Sequence, residues 1–206
     1  MRRFPFFQDS EFAIFKKIDS PGKTQDFLNS LSMNFEDDGE TCRSPRAVLR
    51  NSTAHCFEGA TLAAAIFWYH GRAPLLLDLE TTSNDESHVV APFREGAYWG
   101  AVSKTNHNVL RFRDPVYESL RELAVSYFHE YFLDTGEKTL RRYSTQALDL
   151  TAFEDEWLIA EYPIWGVHDE LVSAPHKHIL PKRMYAHVRL ADDIEIKAST
   201  PTEWTV

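Results

Sequence analysis

The feature that most constrains the fold is an apolar segment between residues 54 and 70. Its hydrophobic residues go nearly all the way round a helix: Phe57, Ala60, Leu62, Ala63, Ala64, Ala65, Ile66, Phe67 and Trp68. A helix of this kind is covered on most sides by the rest of the protein. Ser52 or Thr53 can cap its start, and Gly71 is the expected terminator. We therefore predict a buried central helix from about Ala54 to His70.

After Gly71 the hydrophobic period changes to that of strands. The pattern predicts a buried strand at Leu75–Leu79, a hairpin from Ser87–Phe93 and Ala97–Ser103 that turns at Glu95-Gly96, and a further strand at Val109–Arg113. Asp114-Pro115 then favours the start of a second helix, because proline suits the first helical position. An apolar stripe from Val116 to Phe132 predicts its length.

The two ends of the chain are assigned from weaker patterns. Residues 1–35 indicate amphipathic helices, and the C-terminal region predicts strands at Met184–Leu190 and Asp193–Lys197. The fold class is α+β: a central buried helix packed on an antiparallel sheet, with additional helices. We expect a single domain over residues 1–206, with its core at about 45–135 and a C-terminal elaboration at about 136–206.

Charge and apolar run length exclude several partners. Lys and Arg total 22 and Asp and Glu 31, and the resulting net charge of −9 disfavours nucleic acid and anionic membranes. The longest apolar run, residues 60–69, is shorter than the roughly 20 residues that span a bilayer. The N-terminus starts basic but lacks the apolar region of a signal peptide. We therefore expect a cytoplasmic protein; the sequence leaves its oligomeric state open.

Metal and cofactor sites are not expected either. Cys42 and Cys56 are the two cysteines and form no CxxC pair, which excludes a cysteine-rich zinc site or a disulfide framework. Histidines at 168, 176, 178 and 187 have no carboxylate or cysteine at convincing ligand spacing. A glycine-rich phosphate loop is absent, so nucleotide binding has no support.

The residue pair that could carry chemistry is Cys56 and His88. Cys56 falls in the first turn of the predicted helix, where the backbone amides and the helix dipole favour a thiolate. His88 lies near the start of the first hairpin strand and is the candidate base. With a two-residue turn at Glu95-Gly96, or a four-residue loop there, Ser103 would face His88 across the ladder and could orient its ring; a three-residue loop with Gly96 in the bulge position would break this pairing.

This order resembles the transglutaminase-like superfamily of papain-fold cysteine enzymes. The matching segments are Ala54-His55-Cys56-Phe57-Glu58-Gly59-Ala60, Ser87-His88-Val89-Val90 and Tyr98-Trp99-Gly100-Ala101-Val102-Ser103. The resemblance covers about residues 50–115. It implies a papain-like core and a Cys-His-Asp triad, and this chain departs from that triad because Ser103 stands where the family has aspartate. Ser103 accepts a ring N–H but supplies no charge, so Asn106, Asn108 and Asp114 remain alternative orienting residues.

Two neighbours of Cys56 are less favoured as site residues. His55 should point about 100° away from Cys56 around the helix, so it is not expected to be the base. Glu58 could serve the site, but an exposed helical glutamate is the favoured interpretation.

Together these observations favour a thiol-dependent acyl-transfer enzyme that cleaves or exchanges an amide through an acyl-cysteine. Cys56 would be the nucleophile and His88 the general base, with Ser103 as its orienting residue and the Cys56 amide in the oxyanion hole. The substrate would be a peptide or a small amide, and the acceptor water or an amine. The alternative is a catalytically inactive domain of the same fold that binds a peptide or small molecule in the cleft; a scaffold with Cys56 in its core is a third.

Overall fold

The computed structural model describes residues 2–205. The strands are β1 (Ser32–Met33), β2 (Thr53–Ala54), β3 (Leu75–Glu80), β4 (His88–Glu95), β5 (Tyr98–Val102), β6 (Arg113–Tyr117), β7 (Arg142–Ser144), β8 (Leu148–Asp149) and β9 (His176–His178). The α-helices are α1 (Pro21–Ser30), α2 (Pro45–Asn51), α3 (Cys56–Tyr69), α4 (Leu120–Ser126), α5 (Trp165–Ser173) and α6 (Asp193–Ser199). Short 3-10 helices lie between them, the longest at Ser10–Lys17.

The main sheet is antiparallel in every pair and has the strand order β6-β5-β4-β3-β7-β9, with β8 also paired to β3. A separate parallel pair joins β1 to β2. The architecture is therefore α+β with a mostly antiparallel sheet, as the sequence predicts. None of the helices described is long and apolar enough to cross a membrane.

The sheet is covered by hydrophobic residues on both faces, because β3 and β4 are mostly apolar and successive side chains of a strand point to opposite faces. The all-round apolar helix α3 packs with Leu76, Val89 and Phe93 on one face. Helix α4 packs with Leu77 and Val90 on the other. Nearly every residue of α3 is buried. The prediction of a central buried helix is thus confirmed.

Helix α3 begins two residues later than predicted, and Cys56 is its first residue. Ser52 does not cap α3; it adopts a left-handed conformation, with φ 57°, and ends α2. Thr53 and Ala54 then pair with β1 as a short strand, so His55 becomes the N-cap residue and Cys56 the first helical residue.

The hairpin register also differs from the prediction. Its turn is Gly96-Ala97, and Ala91 pairs with Val102. Glycine at the first turn position takes φ 60°, a left-handed conformation that it adopts without steric cost. Ser103 therefore does not lie opposite His88 in the ladder, and the predicted register is wrong.

The predicted second helix begins later than Asp114-Pro115. Residues 113–117 form β6 at the edge of the sheet, where a proline is tolerated because one side of the strand has no partner to receive an N–H. The helix itself is α4, which Ser119 caps by accepting from the backbone N–H of Glu122 at 3.2 Å.

The two C-terminal strands are wrong as well. Residues 182–187 form a 3-10 helix, and Asp193–Ser199 is α6. A capping box starts α6, since the backbone N–H of Asp192 donates to the Glu195 carboxylate at 2.6 Å. The strand prediction followed the alternating apolar residues and overlooked this local helix signal.

Candidate active site

A cleft with a volume of about 1000 Å³ lies at the N-terminal end of α3. Its walls come from distant parts of the chain: the loop at 33–42, the starts of α3 and β4, the segments 104–110 and 130–134, α5, and residues 199–202. Of the three predicted catalytic residues, Cys56 and His88 lie in its lining, and Ser103 is fully buried behind it. The fold thus brings the predicted nucleophile and the predicted base into one cleft.

Cys56 is the first residue of α3 and is half-buried. Burial would raise the pKa of its thiol, but hydrogen bonds with His55 and His88, and their positive charge, outweigh burial and lower the pKa to about 5. The helix start adds to this effect, because the first backbone amides carry the positive end of the dipole. Cys56 is therefore a thiolate at neutral pH.

Cys42 shows the opposite behaviour in the same cleft. Its side chain is buried, and burial followed by the nearby negative charge of Glu58 raises the pKa of the thiol to about 12. Two thiols that share one cavity thus differ strongly in ionisation, because two histidines outweigh burial at Cys56, whereas at Cys42 no histidine opposes burial and the carboxylate of Glu58 adds to it.

The predicted contact between His88 and Ser103 is present, although the two residues are not paired across the hairpin as predicted. His88 Nε2 lies 2.7 Å from Ser103 Oγ. Because Ser103 comes directly after β5 rather than within it, the chain has left the ladder there and its side chain can turn toward the start of β4. Both side chains are buried.

The partners of Ser103 determine which His88 nitrogen carries a proton. The Ser103 hydroxyl donates to the carbonyl oxygen of Leu110 at 2.6 Å. A hydroxyl has one proton, so Ser103 Oγ can only accept from His88 Nε2–H. Nδ1 is then the nitrogen of His88 that is free to exchange a proton with Cys56.

Gln25 of α1 fixes the position of Ser103. Its carboxamide accepts from Ser103 N at 2.9 Å and donates to Ser103 O at 2.8 Å. The two bonds hold the backbone of Ser103 as a β-strand partner would. Sequence reasoning missed Gln25, because 78 residues separate it from Ser103 and no local pattern connects them.

His55 belongs to the site, contrary to the expectation that it points away. Its Nε2 lies 3.1 Å from the carbonyl oxygen of Thr41, which leaves Nδ1 available to the thiol of the next residue. Burial would lower the pKa of His55, but the Cys56 thiolate and the carboxylates of Glu58 and Glu36 raise it to about 9. His55 is therefore a cation beside the thiolate at neutral pH.

Glu58 is fully buried and not an exposed helical residue. Its carboxylate accepts from Thr41 Oγ1, Arg43 N, Asn34 Nδ2 and His55 N, at 2.9 to 3.2 Å. It therefore ties the loop at 34–43 to the first turn of α3. It also lies 3.6 Å from His55 Nε2, where its charge stabilises the imidazolium.

The alternative orienting residues lie elsewhere. Asn106 bonds to the backbone of Trp204, and Asn108 Nδ2 donates to the carbonyl of Ala198. Asp114 is exposed on the edge strand β6. Ser103 is thus the residue that contacts His88.

The histidines near the C-terminus do not form a metal site among the residues described. His176 instead pairs with Asp78, whose Oδ2 lies 2.9 Å from His176 Nε2, and both side chains are almost fully buried. The pKa of His176 is raised, chiefly by its hydrogen bond to that carboxylate.

The charge on the cleft wall is predominantly negative. Carboxylates in the lining are those of Glu36, Glu40, Asp78, Asp85, Glu86, Glu130 and Asp134. Lys104 also lines the cleft, but its amine is buried, its Nζ donates to the carbonyl of Leu31, and burial lowers its pKa to about 8. The field in the cleft therefore attracts positive charge.

In comparisons with known proteins, no family model matches this chain, and no curated protein matches it. What the site can do is therefore argued from its own geometry.

Proposed function

We propose that the protein is a thiol-dependent acyl-transfer enzyme with Cys56 as nucleophile and His88 as the proton-transfer group. The observation that carries the proposal is the chain of contacts from Leu110 through Ser103 to His88, which fixes the imidazole with Nδ1 free for the Cys56 thiol. A nucleophile, a base and a residue that orients the base, meeting in an open cleft, are the parts that covalent catalysis requires.

The reaction follows from these groups. His88 holds the proton of the Cys56 thiol on Nδ1, and the thiolate attacks the carbonyl carbon of an amide. The oxyanion accepts from the backbone N–H of Cys56, which as a first helical residue has no carbonyl within the helix to donate to. The C–N bond then breaks, His88 protonates the leaving nitrogen, and an acyl-cysteine forms. Water or an amine next gives a proton to His88 and attacks the acyl carbon, which restores the thiolate.

His55 offers a reason why a serine can serve as the third residue. Ser103 orients His88 but cannot stabilise an imidazolium by charge. His55, which Glu58 and Glu36 keep protonated, supplies a second cation beside the thiolate, and this cation remains when His88 gives its proton to the leaving group. Charge compensation and proton transfer are thus divided between two histidines.

The relation to papain-like enzymes belongs to the same proposal. A nucleophile at the start of a buried helix, followed by a histidine that begins a strand and an orienting residue after the next strand, is the order of that superfamily. We assign the core to the transglutaminase-like branch on this order together with the antiparallel sheet. Hydrolysis and transamidation both fit the cleft, since either acceptor can enter from solvent.

The direct test is formation of an acyl-enzyme. The protein is mixed with p-nitrophenyl acetate near neutral pH, and intact mass and peptide mapping locate the acetyl group. We expect a burst of one acetyl group on Cys56, none on Cys42, and none in a Cys56→Ser variant. His88→Gln should slow deacylation by about 100-fold or more, the usual contribution of a general base.

The control variant is His129→Gln, which makes the same substitution at an exposed histidine that does not line the cleft. It should deacylate like the wild type. If Cys56 is not acylated faster than Cys42, or if His88→Gln deacylates normally, the enzyme proposal fails and an inactive binding domain is the better description.

A further inference from the structure

A short extended segment, Thr202–Trp204, lies along the cleft wall that follows Ser103. Thr202 forms an antiparallel bridge with His107, and the backbone N–H of Glu203 donates to the carbonyl of Asn106 at 2.9 Å. The Asn106 carboxamide forms two further bonds with one residue: it accepts from Trp204 N at 2.7 Å and donates to Trp204 O at 3.0 Å.

Most of these bonds go to the main chain of the segment. The side-chain contacts are an ion pair between Glu203 and Arg111 at 2.9 Å, and the Lys104 amine at 5.8 Å from the centre of the Trp204 ring. Main-chain pairing along an exposed edge is how proteins bind extended peptides of varied sequence. The wall therefore has the hydrogen-bonding pattern of a peptide-binding edge.

This edge leads to the candidate active site. Residues 104–107 come directly after Ser103, the partner of His88, and they line the same cleft as Cys56. Thr202 lines it too. A chain lying on the edge would thus occupy the same cleft as the nucleophile.

The present occupant is loosely held. Thr202 and Glu203 are exposed, and Trp204 is half-buried with its indole Nε1 lacking a partner among the residues described. Few apolar contacts oppose its release, which places the segment among the parts of a structure that open at low free energy.

We propose that Lys104–His107 is the edge that binds an extended polypeptide substrate, and that Thr202–Trp204 occupies this edge as an intramolecular competitor. The substrate assignment rests on the acyl-transfer function proposed above, whereas binding to the edge does not. The class of substrate is then a polypeptide recognised by its main chain, rather than a small amide.

The test measures binding in the full chain with Cys56→Ser, so that turnover plays no part. The probe is a fluorescein-labelled peptide, Pro-Thr-Glu-Trp-Thr, followed by fluorescence anisotropy. Glu203→Pro with Trp204→Pro removes both segment N–H donors and releases the edge. Thr205→Pro is the matched control, because its N–H makes no hydrogen bond within the described part of the chain.

We expect the released variant to bind the peptide about ten-fold more tightly than the chain with the unaltered segment. This ratio corresponds to a segment that is docked on the edge about nine-tenths of the time. Thr205→Pro should bind like the unaltered chain. Adding Asn106→Ala to the released variant should weaken binding by about ten-fold or more, since two hydrogen bonds are lost.

Equal affinity before and after release overturns the proposal, as does an Asn106→Ala variant that binds normally or a released chain that binds no peptide at millimolar concentration. The two proposals fail separately. Peptide binding with an inert Cys56 leaves a binding domain, whereas acylation without peptide binding leaves an enzyme for another amide.

Discussion

The ionisation of Cys56 gives the sharpest prediction, because it depends on two histidines that can be replaced one at a time. Alkylation by iodoacetamide should follow a single titration with its midpoint near pH 5, the pKa that His55 and His88 impose against the effect of burial. An ordinary cysteine has its midpoint at about pH 8.5.

The midpoint is the diagnostic quantity, rather than the absolute rate. At pH 6 a thiol of pKa about 5 is about nine-tenths ionised, whereas one of pKa about 8.5 is about 0.3% ionised, a difference of roughly 300-fold. A thiolate of lower pKa is also less nucleophilic, by about 40-fold over such a shift. The two effects leave a rate advantage of only about eight-fold at pH 6.

Replacing either histidine should raise the midpoint. We expect His55→Gln and His88→Gln each to move it upward by more than about one pH unit, since both lower the pKa of the thiol. With both replaced, burial, the largest single influence on the pKa of Cys56, is opposed only by the weaker helix dipole, and the midpoint should exceed that of a free cysteine. The pKa of Cys56 would then be shifted upward from that of a free cysteine, instead of downward as in the wild type.

Rates are measured by peptide mapping between pH 4 and pH 9 at constant ionic strength. Cys42 is an internal reference in every sample, because its pKa of about 12 keeps it protonated and unreactive throughout. His129→Gln should leave the profile of Cys56 unchanged. A wild-type midpoint near that of a free thiol, or single variants that titrate like the wild type, would refute the electrostatic reasoning.

Three further predictions concern stability and are measured by urea unfolding. Gly59→Ala should lower the free energy of unfolding by about 1–3 kcal/mol, because the added Cβ would lie 2.4 Å from a side-chain carbon of Lys104. The control Gly22→Ala, with nothing within 4 Å of its added Cβ, should be neutral or stabilising. Equal losses of stability in the two variants would contradict the packing argument. Glu58→Ala should cost about 3 kcal/mol or more, since four donors lose their acceptor, and exposed Glu170→Ala almost nothing. Asp78→Asn should destabilise the protein more at pH 5.5 than at pH 9. The pKa of His176 is raised by its pairing with Asp78, so this pair stabilises the fold fully below about pH 6.5 and the contribution is lost as the pH rises through the raised pKa. A loss of stability that does not depend on pH would exclude the ion pair.

Sequence patterns were informative where one local rule determined the structure. The all-round apolar run predicted α3 and its burial, and alternating residues predicted β3 and the hairpin that carries His88. Cys56 at a helix start followed from the same reasoning. These features depend on neighbours within a few residues, which is what periodicity reports.

The remaining site features depend on contacts that no local pattern encodes. Glu58 looks like any helical glutamate until the loop at 34–43 folds over it. Gly59 likewise reads as a simple helix residue, yet its missing side chain makes room for Lys104. His55 was excluded by ideal helix geometry, but it is an N-cap with extended backbone, so the 100° rotation does not apply.

The clamp on Ser103 has a consequence for how the protein is made. Gln25, His88 and Leu110 all contact this one residue, so the arrangement is complete only when the first helix and the hairpin have docked on each other. Contacts across such long stretches of chain are slow to form, because the loop-closure entropy has to be paid first. During synthesis Cys56 would therefore emerge without an oriented His88, and the part of its activation that depends on His88 would be complete only once residue 110 has joined the folded core. A growing chain of this protein would therefore lack the complete pair of nucleophile and oriented base until the hairpin has docked.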